Sequence, residues 1–333
     1  MNVSAVRPHP RLPVLRALAL VLSLSTCTGS ADPVGPATDG LVTHLVLPSE
    51  TDASITTFNA EHIAWVDLDA RSATPGLVVF LPGTGGAPRN TRLFPIEAAR
   101  LGYHAIGLMY PDDLAVLQAC SADSEPECME RMRAEIVSGV DRSPHVEVDR
   151  PNSIEGRLLA LVRFLAQRHP AEGWESFLDA DTLRWPSIVV SGLSQGGGHA
   201  AYIARQRLVA RVVMFGAPAD GFGGQPAPWM SLGDTPDDRY FGLAHERDPF
   251  TSIVPNWQAL GLPRFGAPVV VDRSQPPFGG THMLITELTP RGSPGAAHPS
   301  VVADGATPLD GNGDPVLAPT WRYMLGTPGV HPR

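Results

Sequence analysis

The sequence predicts an α/β fold in which a mostly parallel central sheet carries helices on both faces. Three observations lead there. Short unbroken apolar runs recur along the chain, at residues 77–81, 188–190, 212–215 and 240–244, as expected of strands covered on both faces. Helix-compatible segments separate them, and the order strand, helix, strand implies parallel pairing through right-handed crossovers. The hydrophobic fraction is 43% and the charged fraction 18%, the balance of a chain that builds a core.

The 333 residues carry 34 acidic against 25 basic side chains, a net charge of −9. No basic tract follows the N-terminus, so no nucleic-acid partner is expected. At the N-terminus itself, Arg7, Arg11 and Arg16 precede the apolar run 17–24. That run is too short to span a bilayer but suits the core of an export signal, with a cleavage point at Ala31. In the alternative reading, Leu24-Ser25-Thr26-Cys27 is a lipoprotein box and Cys27 carries a lipid anchor. Residues 1–31 are thus expected to be a signal peptide, 32–40 a Pro- and Gly-rich linker, and 41–333 one domain. The location implied is outside the cytoplasm: periplasmic, secreted, or anchored at the cell surface.

Residues 41–47 and 63–68 alternate as early, antiparallel edge strands. The buried strand 77–81 ends in Pro82-Gly83-Thr84-Gly85-Gly86, a loop whose backbone N–H groups can turn inward; Thr84 is the expected donor. No Lys follows at phosphate-loop spacing, so a nucleotide cradle is not expected. A helix over 95–101 and a strand over 103–110 come next. Residues 111–151 then interrupt the alternation and are expected to be an insertion over the C-terminal edge of the sheet. Within it, Cys120 and Cys128 suit a disulfide in an oxidising compartment, with two free thiols as the alternative. No metal or organic cofactor is expected. Asn152 and Glu155 form a capping pair for a helix through Leu165, stopped by Pro170.

The stretch 187–201 is the organising feature. A β-branched run enters Gly192-Leu193-Ser194-Gln195-Gly196, and an Ala-rich segment leaves it. A serine at a sharp strand-to-helix turn needs small residues two before and two after it, and Gly192 and Gly196 meet that need. The turn lifts the hydroxyl above the strand end, where the helix N-terminus supplies N–H groups, Gln195 first, and a positive dipole end. A strand at 210–218 follows, then a Gly- and Pro-rich segment through Trp229, a strand at 240–244 delivering His245 to Asp248, a helix near 256–260 and a strand at 268–271.

Taken together, the elbow at Ser194, the Gly-rich loop after an earlier strand and a carboxylate after a later one resemble the α/β-hydrolase superfamily, most closely exported bacterial esterase-like members. The resemblance spans roughly residues 41–325. It implies a nucleophile, an acid and a base in that chain order. Ser194 is the nucleophile. Asp248, in an Asp-Pro turn after its strand, is the acid, with Asp220 as the alternative and Glu246 behind it. His282 is the expected base and His298 the alternative; His199 and His245 are assigned to packing or substrate contact. The expected chemistry is hydrolysis of a small or polymeric carboxylic ester through an acyl-enzyme, with Thr84 and Gln195 N–H groups holding the oxyanion. Phe222, Trp229 and Phe278 suggest an apolar pocket. Two other readings stand beside this one: a non-catalytic surface binding protein on the same scaffold, and a serine peptidase.

Overall fold

A computed structural model describes residues 40–328, except 232 and 294. The expected signal segment, Cys27 and residues 32–39 of the linker lie outside the described residues. The described part is a mixed α/β fold around a nine-stranded sheet. Its strands are β1 (Leu41–Val46), β2 (His62–Asp67), β3 (Leu77–Leu81), β4 (His104–Gly107), β5 (Ile188–Leu193), β6 (Arg211–Phe215), β7 (Tyr240–His245), β8 (Val269–Val270) and β9 (Met283–Thr286). Across the sheet they run β1-β2-β4-β3-β5-β6-β7-β9-β8. Strand β1 pairs antiparallel with β2, which pairs antiparallel with β4; every pairing beyond is parallel.

All five residues of β3 and all six of β5 are buried, because both faces are covered. The period of two then sorts the side chains. Leu77, Val79 and Leu81 join one apolar cluster with Val190, Val212 and Met214, whereas Val78, Phe80, Val189, Val213 and Phe215 join the other. The first face is covered by α3 (Ile154–Arg168) and α4 (Gln195–Gln206), the second by α1 (Leu93–Arg100) and α6 (Ala318–Leu325). Phe94, Phe215 and Trp321 lock that second layer edge to face, with ring centroids 5.0 and 5.9 Å apart. Two further helices are α2 (Cys128–Ser138), which contributes Arg133 to the cleft described below, and α5 (Ile253–Ala259).

One local expectation shifts by a residue. Helix α3 is capped by Ser153, whose hydroxyl accepts from the Gly156 N–H at 3.1 Å. Asn152 instead holds Arg157, through its carbonyl oxygen at 2.9 Å and its side-chain oxygen at 2.7 Å. The helix ends at Arg168, before the residue preceding Pro170, as the steric restriction ahead of proline requires. Residues 111–151 contain the one-turn helix Val116–Ala119, the Cys120–Cys128 disulfide and α2.

Candidate active site

Ser194 sits between β5 and α4 at φ 55°, ψ −120°, a conformation that costs a non-glycine residue on the order of 1–3 kcal/mol. The surroundings hold it there. Its N–H donates to the Phe215 carbonyl of β6 at 2.8 Å, and its carbonyl accepts from Gly198 at 3.0 Å. A Cβ on Gly192 would meet the Gly196 carbonyl carbon at 2.4 Å, and one on Gly196 would meet the Leu81 oxygen at 2.1 Å. The strand, the helix and the end of β3 therefore pass too closely for any side chain at either position. The Gly-rich loop also packs against the serine, less tightly: a Cβ on Gly83 would lie 3.2 Å from the Ser194 Cβ.

Thr84 and Gln195 meet beside this serine. The Thr84 hydroxyl donates to Gln195 Oε1 at 3.2 Å, and the same oxygen accepts the Val116 N–H at 2.9 Å. Gln195 thus ties the loop after β3 and the wall formed by residues 115–118 to the start of α4. Behind the loop, the Asp112 carbonyl accepts from Gly85 at 2.9 Å. The Asp112 side chain is buried, which raises its carboxyl to about 7.

Asp248 and His298 come together across 50 positions of sequence. Asp248 Oδ2 and His298 Nδ1 are 2.7 Å apart, with side chains 4% and 16% exposed. The other carboxylate oxygen accepts the Phe250 N–H at 3.0 Å, which fixes the Asp-Pro turn. The pair rests on Gly216 at the end of β6: a Cβ there would lie 2.9 Å from His298 Nδ1 and 3.2 Å from Asp248 Oδ2. Gly216 directly follows Phe215, the residue that receives the Ser194 N–H. Phe250 stacks edge-on against the His298 ring at 4.8 Å and also lines the cleft that contains Ser194. His298 Nε2 is buried and makes no hydrogen bond.

The structure does not bring His282 to this corner. The residue immediately precedes β9, so it lies at the N-terminal end of a parallel strand, whereas Ser194 follows the C-terminal end of β5. Its ring is stacked between Phe241 at 3.9 Å and Phe265 at 4.1 Å, and burial lowers its pKa to about 4. Asp220 is not beside a free histidine either. It is fully buried and accepts from Arg133 Nε at 2.6 Å, from Arg133 Nη2 at 2.5 Å and from Trp229 Nε1 at 3.1 Å. Glu246 is exposed. His199 is fully buried behind Arg133 and Tyr110, held neutral by burial and by the Arg133 charge. His245 braces the loops after β7 and β9 by bonding the Leu288 carbonyl and the Arg247 N–H, each at 2.9 Å.

The cleft over Ser194 has a volume of about 240 Å³, and its apolar lining comes from Val116, Leu117, Ala219 and Phe250. The three aromatics suggested by the sequence are elsewhere: Phe222 is exposed, Trp229 packs on Tyr202, and Phe278 packs on Tyr323. Arg133 was missed. It reaches from α2 to the Gln195 carbonyl at 3.2 Å and lines the cleft floor, its charge matched by Asp220. Nothing in the run 128–138 marks it, because two arginines, Arg131 and Arg133, on a polar helix carry no pattern. Phe250 could have been noticed from its place two residues after Asp248.

No protein-family model matches the chain, and no curated protein matches it. Among solved structures, it is similar to esterase B from Lactobacillus rhamnosis, in a crystal structure of its C4-C4 SN3 tributyrin phosphonate-inhibited form. The sequence identity is 14%, the TM-score 0.39, and the alignment covers 74% of this chain and 75% of that one. Likeness at that level assigns neither a family nor an activity.

Proposed function

We propose that the protein is a serine hydrolase of the α/β-hydrolase type that cleaves carboxylic esters, with Ser194 as nucleophile, His298 as base and Asp248 as the acid that orients it. The observation that carries this reading is the Asp248–His298 pair packed on Gly216, one residue from the carbonyl that pins the strained Ser194. A carboxylate on Nδ1 fixes the imidazole tautomer with its proton there, which leaves Nε2 as the acceptor. That atom is buried and unspent. The Ser194–His298 contact closes when substrate enters, as catalytic hydrogen bonds in ligand-free sites commonly do.

Attack of Ser194 Oγ on the ester carbonyl transfers its proton to His298 Nε2. Asp248 stabilises the resulting imidazolium. The N–H groups of Thr84 and Gln195 receive the oxyanion, and the first N–H of a helix has no acceptor within its own helix. His298 then protonates the departing alcohol, and the same residue activates the water that releases the acyl group. The cleft is small and most of the surface it exposes is apolar, which favours a short acyl chain. A peptidase or a non-catalytic binding role has no comparable observation in its favour.

The test is hydrolysis of p-nitrophenyl butyrate by the wild type and by Ser194→Ala, with circular dichroism to show that the variant folds. Activity in the wild type and its loss in the variant is the expected result. A wild type inert across a panel of short and long acyl esters overturns the reading.

A further inference from the structure

A second cluster of chemistry-bearing side chains lies away from Ser194, at the β1 edge of the sheet. His44 of β1, His169 directly after α3 and Glu172 in the next turn bring one ligand atom each to within 4.8 Å of one another. Glu172 also reaches inward to His104 at the start of β4, the third strand from that edge, whose Nε2 meets the Glu172 carbonyl at 2.8 Å. Ser194 follows the opposite end of the parallel strands, so this cluster takes no part in the catalysis proposed above.

We infer that His44, His169 and Glu172 form a binding site for a borderline divalent cation of the zinc class. Two imidazoles and one carboxylate are the donor set such ions favour, and three protein ligands leave one position for water. His44 Nε2 lies 3.0 and 2.9 Å from the two Glu172 oxygens, and His169 Nδ1 lies 3.9 Å from Oε1. In a tetrahedral site with bonds of about 2.0–2.1 Å, donor atoms stand roughly 3.3 Å apart. Each imidazole is therefore within 1 Å of its tetrahedral spacing from Glu172, and the stacked His44 and His169 rings must part and turn for their nitrogens to converge on the ion.

Two observations separate this cluster from an ordinary ion pair. First, His169 makes no hydrogen bond to Glu172, so its Nδ1, 3.9 Å from Oε1, is left for an ion between them. Second, Glu172 is braced on all sides. Trp174 Nε1 donates to Oε2 at 2.6 Å, and Arg71 donates to the Ala171 and Glu172 carbonyls at 3.0 and 2.9 Å. Outer partners of this kind orient a ligating carboxylate. The side chains are 13%, 34% and 12% exposed for His44, His169 and Glu172, so His169 is the open side by which an ion enters. Bound there, the ion would join β1 to the C-terminal end of α3 and stabilise the fold at the sheet's edge. A histidine and a carboxylate 128 positions apart carry no ligand spacing in the sequence, which is why no metal was expected from it. The other close grouping, Cys120, Cys128 and His145, offers no thiolate because the sulfurs are bonded to each other.

The experiment uses the full chain stripped with a chelator and titrated with zinc chloride by calorimetry, alongside thermal melts. One zinc per chain is expected, and zinc at a hundredfold over its Kd raises Tm by roughly 4 °C. His169→Phe keeps a ring against His44 but removes the ligand atom. It should melt close to the wild type in chelator, bind zinc at least tenfold more weakly and lose the zinc-dependent rise. His298→Ala should keep that rise, which excludes the Asp248–His298 pair as the zinc site. The proposal is overturned by a wild type whose Tm zinc does not raise, by a rise that persists undiminished in His169→Phe, or by one that His298→Ala abolishes.

Discussion

Two histidines flank β9, and their surroundings could hardly differ more. His282 enters the strand at its N-terminal end, packed flat between Phe241 and Phe265 with no carboxylate beside it. His298 comes after the strand, in a loop that returns over the C-terminal ends of β6 and β7, where Asp248 waits 2.7 Å away. Both are largely buried, yet burial, with the Arg211 charge adding to it against a backbone hydrogen bond at Tyr240, keeps His282 neutral, whereas His298 has a carboxylate on its Nδ1. Strand polarity decides which of them can serve Ser194: in a parallel sheet the loops that carry chemistry gather at the carboxyl ends of the strands.

The sharpest way to break this comparison is to exchange the losses. His298→Ala, like Ser194→Ala, should lower kcat/KM for an accepted ester by about 10³-fold or more, and the double variant should lose little beyond either single one, because the two act as a unit. Measured with a chromogenic ester, His282→Leu should stay within a few-fold of wild type.

Next in size is the Arg133–Asp220 pair. Asp220→Asn strands a buried guanidinium and should cost about 3–5 kcal/mol in urea unfolding. Replacing both residues, as Arg133→Met with Asp220→Leu, should recover part of that. If Asp220 oriented the base instead, its loss would appear as a collapse of kcat in a protein of undiminished stability.

A pH series sharpens the contrast between the histidines. The folded His282 pKa of about 4 is below the ordinary histidine value of 6.5, so between those limits the unfolded chain binds the proton and the folded one does not. Stability contributed by the neutral ring is present above pH 6.5, falls as pH drops below it and is fully lost under about 4. His282→Leu should therefore lose less stability than wild type on going from pH 7 to 4.5, measured by chemical unfolding at each pH. The smallest expected effect belongs to the Cys120–Cys128 bridge, which closes a loop of separation 8. Cys120→Ser with Cys128→Ser should cost about 2 kcal/mol and, because Val116 precedes the loop, raise KM more than it lowers kcat.

The sheet was legible because its strands are buried on both faces and so appear as unbroken apolar runs. Ser194 was legible because a sharp turn between strand and helix demands glycine on either side, and that demand leaves a pattern within five residues. The proposed base was not, because its assignment depends on which end of β9 each histidine occupies and on a loop that folds back over 50 positions to Asp248. That His282 stands at the end of β9 away from Ser194 follows only once the strand is set parallel beside β7. Arg133 and the His44 cluster belong to the same class of feature, made by tertiary approach of residues whose neighbours in sequence say nothing about it.

The central claim is that Ser194 is activated by His298, and labelling with a fluorophosphonate followed by intact-mass and peptide analysis tests it most directly. The account predicts one adduct per chain, on Ser194, formed at wild-type rate in His282→Leu and at least a hundredfold more slowly in folded His298→Ala. Equal labelling of wild type and His298→Ala, or loss of labelling in His282→Leu with the fold intact, would contradict it.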